Sequence, residues 1–147
     1  IPERKSVTGK LNNNIIEILI PENISAIQKE KAISTLLSKI FSSLYLPAVK
    51  KRIDYWNEKQ FQKEILKVNL RNNQSNWGSC STNKTISISS RLLLAPPFVL
   101  DYIIVHELSH LVHHNHSAKY WALVEKVLPD YMLAEDWLKK NGESIQW

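Results

Sequence analysis

The hydrophobic and polar positions divide the chain into segments of two periods. Asn14 to Ile20 (Asn-Ile-Ile-Glu-Ile-Leu-Ile) reads as a strand ended by Pro21. From about Ser25 to Leu44, apolar residues recur at helical spacing: Ile27, Ile33, Leu36, Leu37, Ile40, Phe41 and Leu44 share one side. Pro47 is expected to interrupt that helix. A second helix should follow from about Ala48 to Lys59, with Val49, Ile53 and Trp56 on its buried face. Glu64 to Leu70 alternates as a strand, and Thr85-Ile86-Ser87-Ile88-Ser89 alternates more cleanly. Trp77 to Ser81 lies between these two, either as their connection or as a short strand of its own. From Pro97 onward the pattern is helical. Pro97 suits a first helical position, where its missing N–H costs nothing. That helix should run through Phe98 to about His114, followed by helices over Ala118 to Leu128 and Tyr131 to Lys140, with Asn141-Gly142 as the stop. Helices, a small sheet and then more helices predict an α+β arrangement.

Length and composition narrow the class. The 147 residues suit one domain, with 1–60 supplying an N-terminal strand and helices and 61–147 the chemical core. At 44% hydrophobic and 22% charged, the chain can bury a real core. No uninterrupted apolar run approaches the roughly 18 residues of a membrane span, and the expectation is a protein without a membrane partner. With one cysteine, Cys80, neither an internal disulfide nor a multi-cysteine metal site is possible, and a reducing, cytoplasmic setting is expected. Three glycines, at 9, 78 and 142, exclude a Gly-rich phosphate loop. The chain starts Ile1-Pro2-Glu3 without methionine, as a trimmed form, a processed form or a domain of something longer would. The net charge of +5 comes from scattered Lys and Arg, with small groups at Lys50-Lys51-Arg52 and Lys139-Lys140. A solvated basic surface is the plainer expectation. A nucleic-acid-facing patch would need those charges gathered on one face.

The chemistry is concentrated in His106-Glu107-Leu108-Ser109-His110. Two histidines four apart on a helix lie on one face, about 6 Å apart along the axis. Their imidazoles can converge on one ion, and Glu107 is placed as general base for a metal-bound water. Ile103, Ile104, Val105, Leu108, Leu111 and Val112 make this helix apolar nearly all round, so it should be buried. A carboxylate and two imidazoles are costly to bury unless something compensates them, and a metal does. The competing explanation, a chance motif of a core histidine, a surface histidine and an unrelated glutamate, does not account for that burial. A third ligand is needed. On a continued helix His113 would be about 10 Å from His106 along the axis, out of reach of a shared ion. The helix must therefore end and the chain fold back, with Asn115 as a left-handed terminus and His116 as third ligand. Glu125, Glu135 and Asp136 are its competitors. One Zn2+ ion is expected.

These residues and their flanks resemble the YgjP-type family of zinc-dependent hydrolases, zincins with a Trp-Gly-Ser-Cys motif. The resemblance rests on Trp77-Gly78-Ser79-Cys80-Ser81, Ile86 and Ile88, Arg91-Leu92, Pro97, Asp101 to His110, Asn115-His116-Ser117, Tyr120-Trp121 and Pro129-Asp130-Tyr131. It is strong from about Arg71 to Leu138 and looser before that. It implies a single zincin-like domain, a small sheet packed beside an active-site helix with flanking helices. It also implies ligands His106, His110 and His116 with Glu107 as base, hence a metallopeptidase cleaving peptides or unfolded protein. The motif with its later histidine is also similar to SprT-like proteases, which act on DNA-bound proteins, so nucleic acid is an alternative partner. The chain departs from the family at Asn76, where a basic residue is usual, and from metzincins at His113, where they need glycine.

Further expectations attach to single residues. Tyr131 is the candidate donor to the oxyanion formed on the scissile carbonyl, with Tyr102, Arg91 and His113 as rivals. Asp101 and Asp136 are candidate partners for the ligand imidazoles. Cys80 could ligate the metal and hold the enzyme latent, or simply pack beside the sheet. Cys80 or Glu125 could also close a purely structural site, in which Glu107 would have no use. Thr85 to Ser89 is the candidate edge strand for an extended peptide, and the expected state is a monomer.

Overall fold

The computed structural model describes residues 7–147, so the first six residues of the expected domain lie outside the described part. The chain opens with a hairpin, β1 (Thr8–Asn12) against β2 (Ile15–Leu19). Only β2 was expected from the pattern. Asn13 and Asn14 turn the chain with φ of 49° and 64°, the left-handed pair that a two-residue hairpin loop needs and asparagine tolerates.

Helix α1 (Ala26–Trp56) starts at Ser25, whose hydroxyl accepts from the Gln28 N–H while Gln28 reaches back to the Ser25 N–H. The expected break at Pro47 does not occur: one helix spans both predicted helices. Proline deprives the Ser43 carbonyl of its partner. Ser43 and Pro47 are both exposed, so water can take the place of the lost N–H. Asn57–Phe61 adds a turn of π-helix, and Gln62, in the left-handed region at φ 54°, ends it. With that turn, α1 is long and apolar enough to cross a membrane by length and composition. Its buried residues include Val49 and Ile53, which join the core.

The second sheet holds β3 (Lys67–Arg71), β4 (Gly78–Cys80) and β5 (Thr85–Ser89) in the order β3-β5-β4. β5 is parallel to β3 and antiparallel to β4. The segment from Trp77 to Ser81 thus contains a strand of its own. The expectation that Thr85 to Ser89 forms an edge is corrected: β5 is the central strand and β4 is an edge. Alternation reports which face of a strand is covered and is silent about its neighbours in the sheet.

After a 3-10 turn (Ser90–Leu94) come α2 (Pro97–His110), α3 (Ala118–Val127) and α4 (Tyr131–Asn141). Pro97 holds the first position of α2. Val99, Ile104, Val105 and Leu108 are fully buried, as the all-round apolar pattern requires. Among the described residues, four α-helices and two small sheets make the fold α+β. Its core joins α1, β5, α2, α3 and α4.

Two polar clamps fix the layers around α2, one of them half-exposed and the other buried. Asp101 accepts from Arg52 Nε at 2.5 Å and Nη2 at 2.6 Å, and from Trp56 Nε1 at 3.1 Å. Asp101 therefore ties α1 to α2 and is no partner of a ligand imidazole. Arg91, 5% exposed, donates to the carbonyls of Gly142 (2.6 Å) and Ile145 (3.0 Å) and lies 4.1 Å over the Trp77 ring. It pins the chain's end beside the start of β4 and is spent as an oxyanion donor.

Candidate metal centre

α2 carries His106 and His110 one turn apart on the side facing α3. The helix stops at His110, earlier than expected. The N–H groups of Leu111, Val112 and His113 turn back onto the carbonyls of Leu108 and Ser109, satisfying the helix end without a left-handed residue. Asn115 is accordingly not left-handed, contrary to expectation. Its carbonyl accepts from the Ser117 N–H, and Ser117 caps α3 through the Tyr120 N–H. This short return places His116 opposite the two helix-borne histidines.

One ring nitrogen from each of His106, His110 and His116 lies within 4.8 Å of the others, the grouping able to hold an ion among the described residues. His110 Nε2 is 3.1 Å from His116 Nε2. Two ligands of a tetrahedral zinc at about 2.05 Å stand about 3.3 Å apart, so this spacing fits a shared ion. The tautomers agree. His110 Nδ1 faces the His113 carbonyl at 3.2 Å, which can only accept, so Nδ1 carries the proton and Nε2 keeps its lone pair. Glu125, Glu135, Asp136 and Cys80 are not in the grouping.

Aromatic rings hold the imidazoles in place. Tyr120, fully buried, stacks on His110 at 4.6 Å and donates to the His106 carbonyl at 2.8 Å. Trp121 stacks on His116 at 5.9 Å and on Tyr131 at 5.7 Å. Tyr131, the expected oxyanion donor, therefore sits in an aromatic stack between Trp121 and Tyr102 and does not line the cavity above the histidines. Tyr102 donates to Glu135 at 2.7 Å. Asp136 pairs with Lys140 on the surface and has no part in the site.

Glu107 is 5% exposed, and burial pushes its carboxyl up to about 7. Burial, with the neighbouring imidazoles of His110 and His116, pushes His106 down to about 4 and keeps it neutral, as a metal ligand must be. Gly78 on β4 is what lets Glu107 fit. A Cβ there would stand 2.9 Å from Ile103 Cγ2, 3.0 Å from Glu107 Cγ and 3.1 Å from Glu107 Oε1. Cys80, on the same side of β4, is a thiol raised to about 11 by burial and by the charge of Glu107.

The histidines and Glu107 form the floor of a cavity of about 750 Å³, walled by β4 and by Lys63, Glu64, Lys84 and His114. β4 presents its open edge to this cavity. Trp77 O and Ser81 N bond to β5, so by alternation the N–H and C=O of Gly78 and Cys80 point away from β5. The basic groups noted in the sequence sit on separate elements. Lys50-Lys51-Arg52 is on α1, with Arg52 held by Asp101, and Lys139-Lys140 ends α4.

Over residues 3–141 the chain matches the model of the YgjP-like metallopeptidase domain. The chain belongs to that family. Among solved structures, the metallopeptidase zymogen abylysin of Pyrococcus abyssi is similar, with 26% identity and a TM-score of 0.57 over 63% of this chain and 93% of that one. Jannalysin, a metallopeptidase zymogen of Methanocaldococcus jannaschii, is 20% identical with a TM-score of 0.55 over 65% and 95% of the two chains, and shares the fold. No curated protein sequence matches. The YgjP-like assignment makes the chain a metallopeptidase, and the three-histidine cluster is the place where its residues can hold the metal.

Of the residues now seen to shape this site, Tyr120 and Gly78 were not assigned these roles from sequence. The dipeptide Tyr120-Trp121 carried part of the family resemblance without revealing why. Gly78 carried a signal, being one of three glycines in the chain.

Proposed function

We propose that this YgjP-like domain binds one zinc ion through His106, His110 and His116 and hydrolyses peptide bonds, with Glu107 as general base. The observation that carries the reading is the convergence of three ring nitrogens within 4.8 Å beside a buried carboxyl raised to about 7. An all-imidazole set suits zinc among the abundant divalent ions. When bound, zinc would polarise the scissile carbonyl and acidify the attacking water. Glu107 takes the proton from that water and later delivers it to the leaving amine. One carboxyl beside the ion can serve both transfers, first as base and then as acid. The substrate is an extended segment of peptide or unfolded protein. It lies against the open edge of β4 and is held by the backbone groups of Gly78 and Cys80.

The test compares the native chain with Glu107→Gln for zinc content and for cleavage of an unstructured protein such as casein. The expected result is about one zinc on each and a loss of turnover of 10²–10⁴-fold or more in the variant. Cleavage at the native rate by Glu107→Gln would remove Glu107 from the mechanism. Absence of zinc from the native chain would remove the site.

A further inference from the structure

We propose that Glu135 is a positioning residue for the metal site, acting on His106 through the hydroxyl of Tyr102; the proposal rests on the reading of His106 as a metal ligand. Tyr102 lies one helical turn before His106 on α2, and Glu135 projects from α4. The Tyr102 hydroxyl is 2.7 Å from Glu135 Oε1 and 3.4 Å from His106 Nδ1. Tyrosine has one hydroxyl proton, and the carboxylate, the stronger and nearer acceptor, takes it. The contact with His106 must then run the other way, Nδ1–H donating to the tyrosine oxygen. This assigns the proton of His106 to Nδ1 and leaves the lone pair of Nε2 free for the ion.

The chain runs from carboxylate to phenol to imidazole to metal. Ligating histidines commonly donate their second nitrogen directly to a carboxylate; here a tyrosine is interposed. Packing holds the relay in place. Tyr102 is 4% exposed, and its ring stacks on Tyr131 at 6.2 Å and meets the His106 ring edge-on at 5.7 Å. An ion held by three neutral imidazoles brings two positive charges into a half-buried site. Glu135 places a negative charge behind the ligand set without occupying a coordination position. Two residues that sequence reasoning considered for direct roles, Glu135 as a ligand and Tyr102 as an oxyanion donor, thus share an indirect one.

The experiment measures zinc affinity by competition with a chromogenic chelator for the native chain, Tyr102→Phe, Glu135→Gln and the double variant. Phe keeps the ring packing and Gln keeps the side-chain volume, and far-UV circular dichroism of the metal-free proteins confirms that each is folded. Each single change is expected to weaken zinc binding by about 10–100-fold. The double variant should be no weaker than Tyr102→Phe, because that change alone removes the hydroxyl through which the charge of Glu135 acts. Long-range proton–nitrogen NMR of the His106 ring should show the Nδ1–H form in the native chain and a loss of that preference in Tyr102→Phe. A folded Glu135→Gln with native zinc affinity overturns the proposal, as do losses that simply add. A native chain that binds no zinc overturns the ligand reading, and this proposal with it.

Discussion

At the scale of single residues, the site depends on what a neighbour lacks as much as on what it offers. Glu107 can lie against β4 because position 78 has no side chain. Gly78→Ala would put a methyl 2.9 Å from Ile103 and 3.0 Å from Glu107. Overpacking of this kind costs typically 1–3 kcal/mol. The carboxyl is also displaced from the water it must activate, and misplacement by about 1 Å can cost ~10²-fold in rate. The expected outcome is a folded protein with a modestly lower Tm, near-native zinc affinity and kcat reduced by about 10–100-fold. Zinc affinity separates this role from a general loss of structure, because the three histidines come from α2 and the loop after it. Native kcat in Gly78→Ala would mean that the carboxyl tolerates the shift and that Gly78 serves packing alone.

At the scale of elements, the edge strand offers a test in which backbone and side chain come apart. The Cys80 N–H points to the open edge and makes no bond to β5, so Cys80→Pro removes a donor from the cavity wall without removing one from the ladder. Cys80→Ala keeps that N–H and loses the thiol. If peptides bind by adding a strand to β4, the proline variant should lose about tenfold or more in kcat/KM, chiefly through KM, while the alanine variant stays close to native. Equal behaviour of the two variants would show that substrate does not use this edge. The same strand shows where sequence reasoning stops. His106, Glu107 and His110 were legible because a helix converts fixed spacing into a shared face, whatever surrounds it. His116 was legible because the helix could not reach, although the turn that brings it back uses Leu111, Val112 and His113 and not a left-handed Asn115. β5 was visible as a strand, but its neighbours are set by contacts distant in sequence, so the edge was assigned to the wrong strand. Pro47 was read as a break because local rules assume that the freed carbonyl has no other partner. On an exposed helix face water supplies one. Tyr102, Glu135 and Tyr120 come together from three different helices, and no local pattern announces such a meeting.

At the scale of the whole molecule, the site costs the fold something that a metal ion can offset, and that exchange has a sign in pH. Glu107 is raised from 4.5 to about 7 by burial. A carboxyl raised in the folded state favours folding below its unfolded value, and that stability is lost as pH rises from about 4.5 through about 7. At ~1.4 kcal/mol per unit, the loss by pH 8 is roughly 3 kcal/mol. His106 runs the opposite way. It is lowered from 6.5 to about 4 by burial and by the facing imidazoles, so its contribution is present above 6.5 and is lost as pH falls through 4. Both groups are neutral in the fold between about pH 4 and 7, but each is costly where the unfolded chain would charge it, Glu107 above about 4.5 and His106 below about 6.5, so the two costs overlap and partly offset one another across that range. At pH 8 Glu107 is a buried anion, and a divalent cation beside it relieves that cost. Binding also requires unprotonated imidazoles, so zinc stabilises most at the pH where the buried Glu107 anion costs most. Thermal unfolding of chelator-treated protein should therefore show a nearly level or slightly falling Tm from pH 5.5 to pH 8 in the native chain, where the two contributions offset one another, and a rising Tm in Glu107→Gln, where only that of His106 remains. Saturating zinc should raise the native Tm more at pH 8 than at pH 5.5 and bring the two proteins together. Parallel pH profiles for native and Gln proteins without metal would mean that Glu107 is hydrated, not buried, in solution.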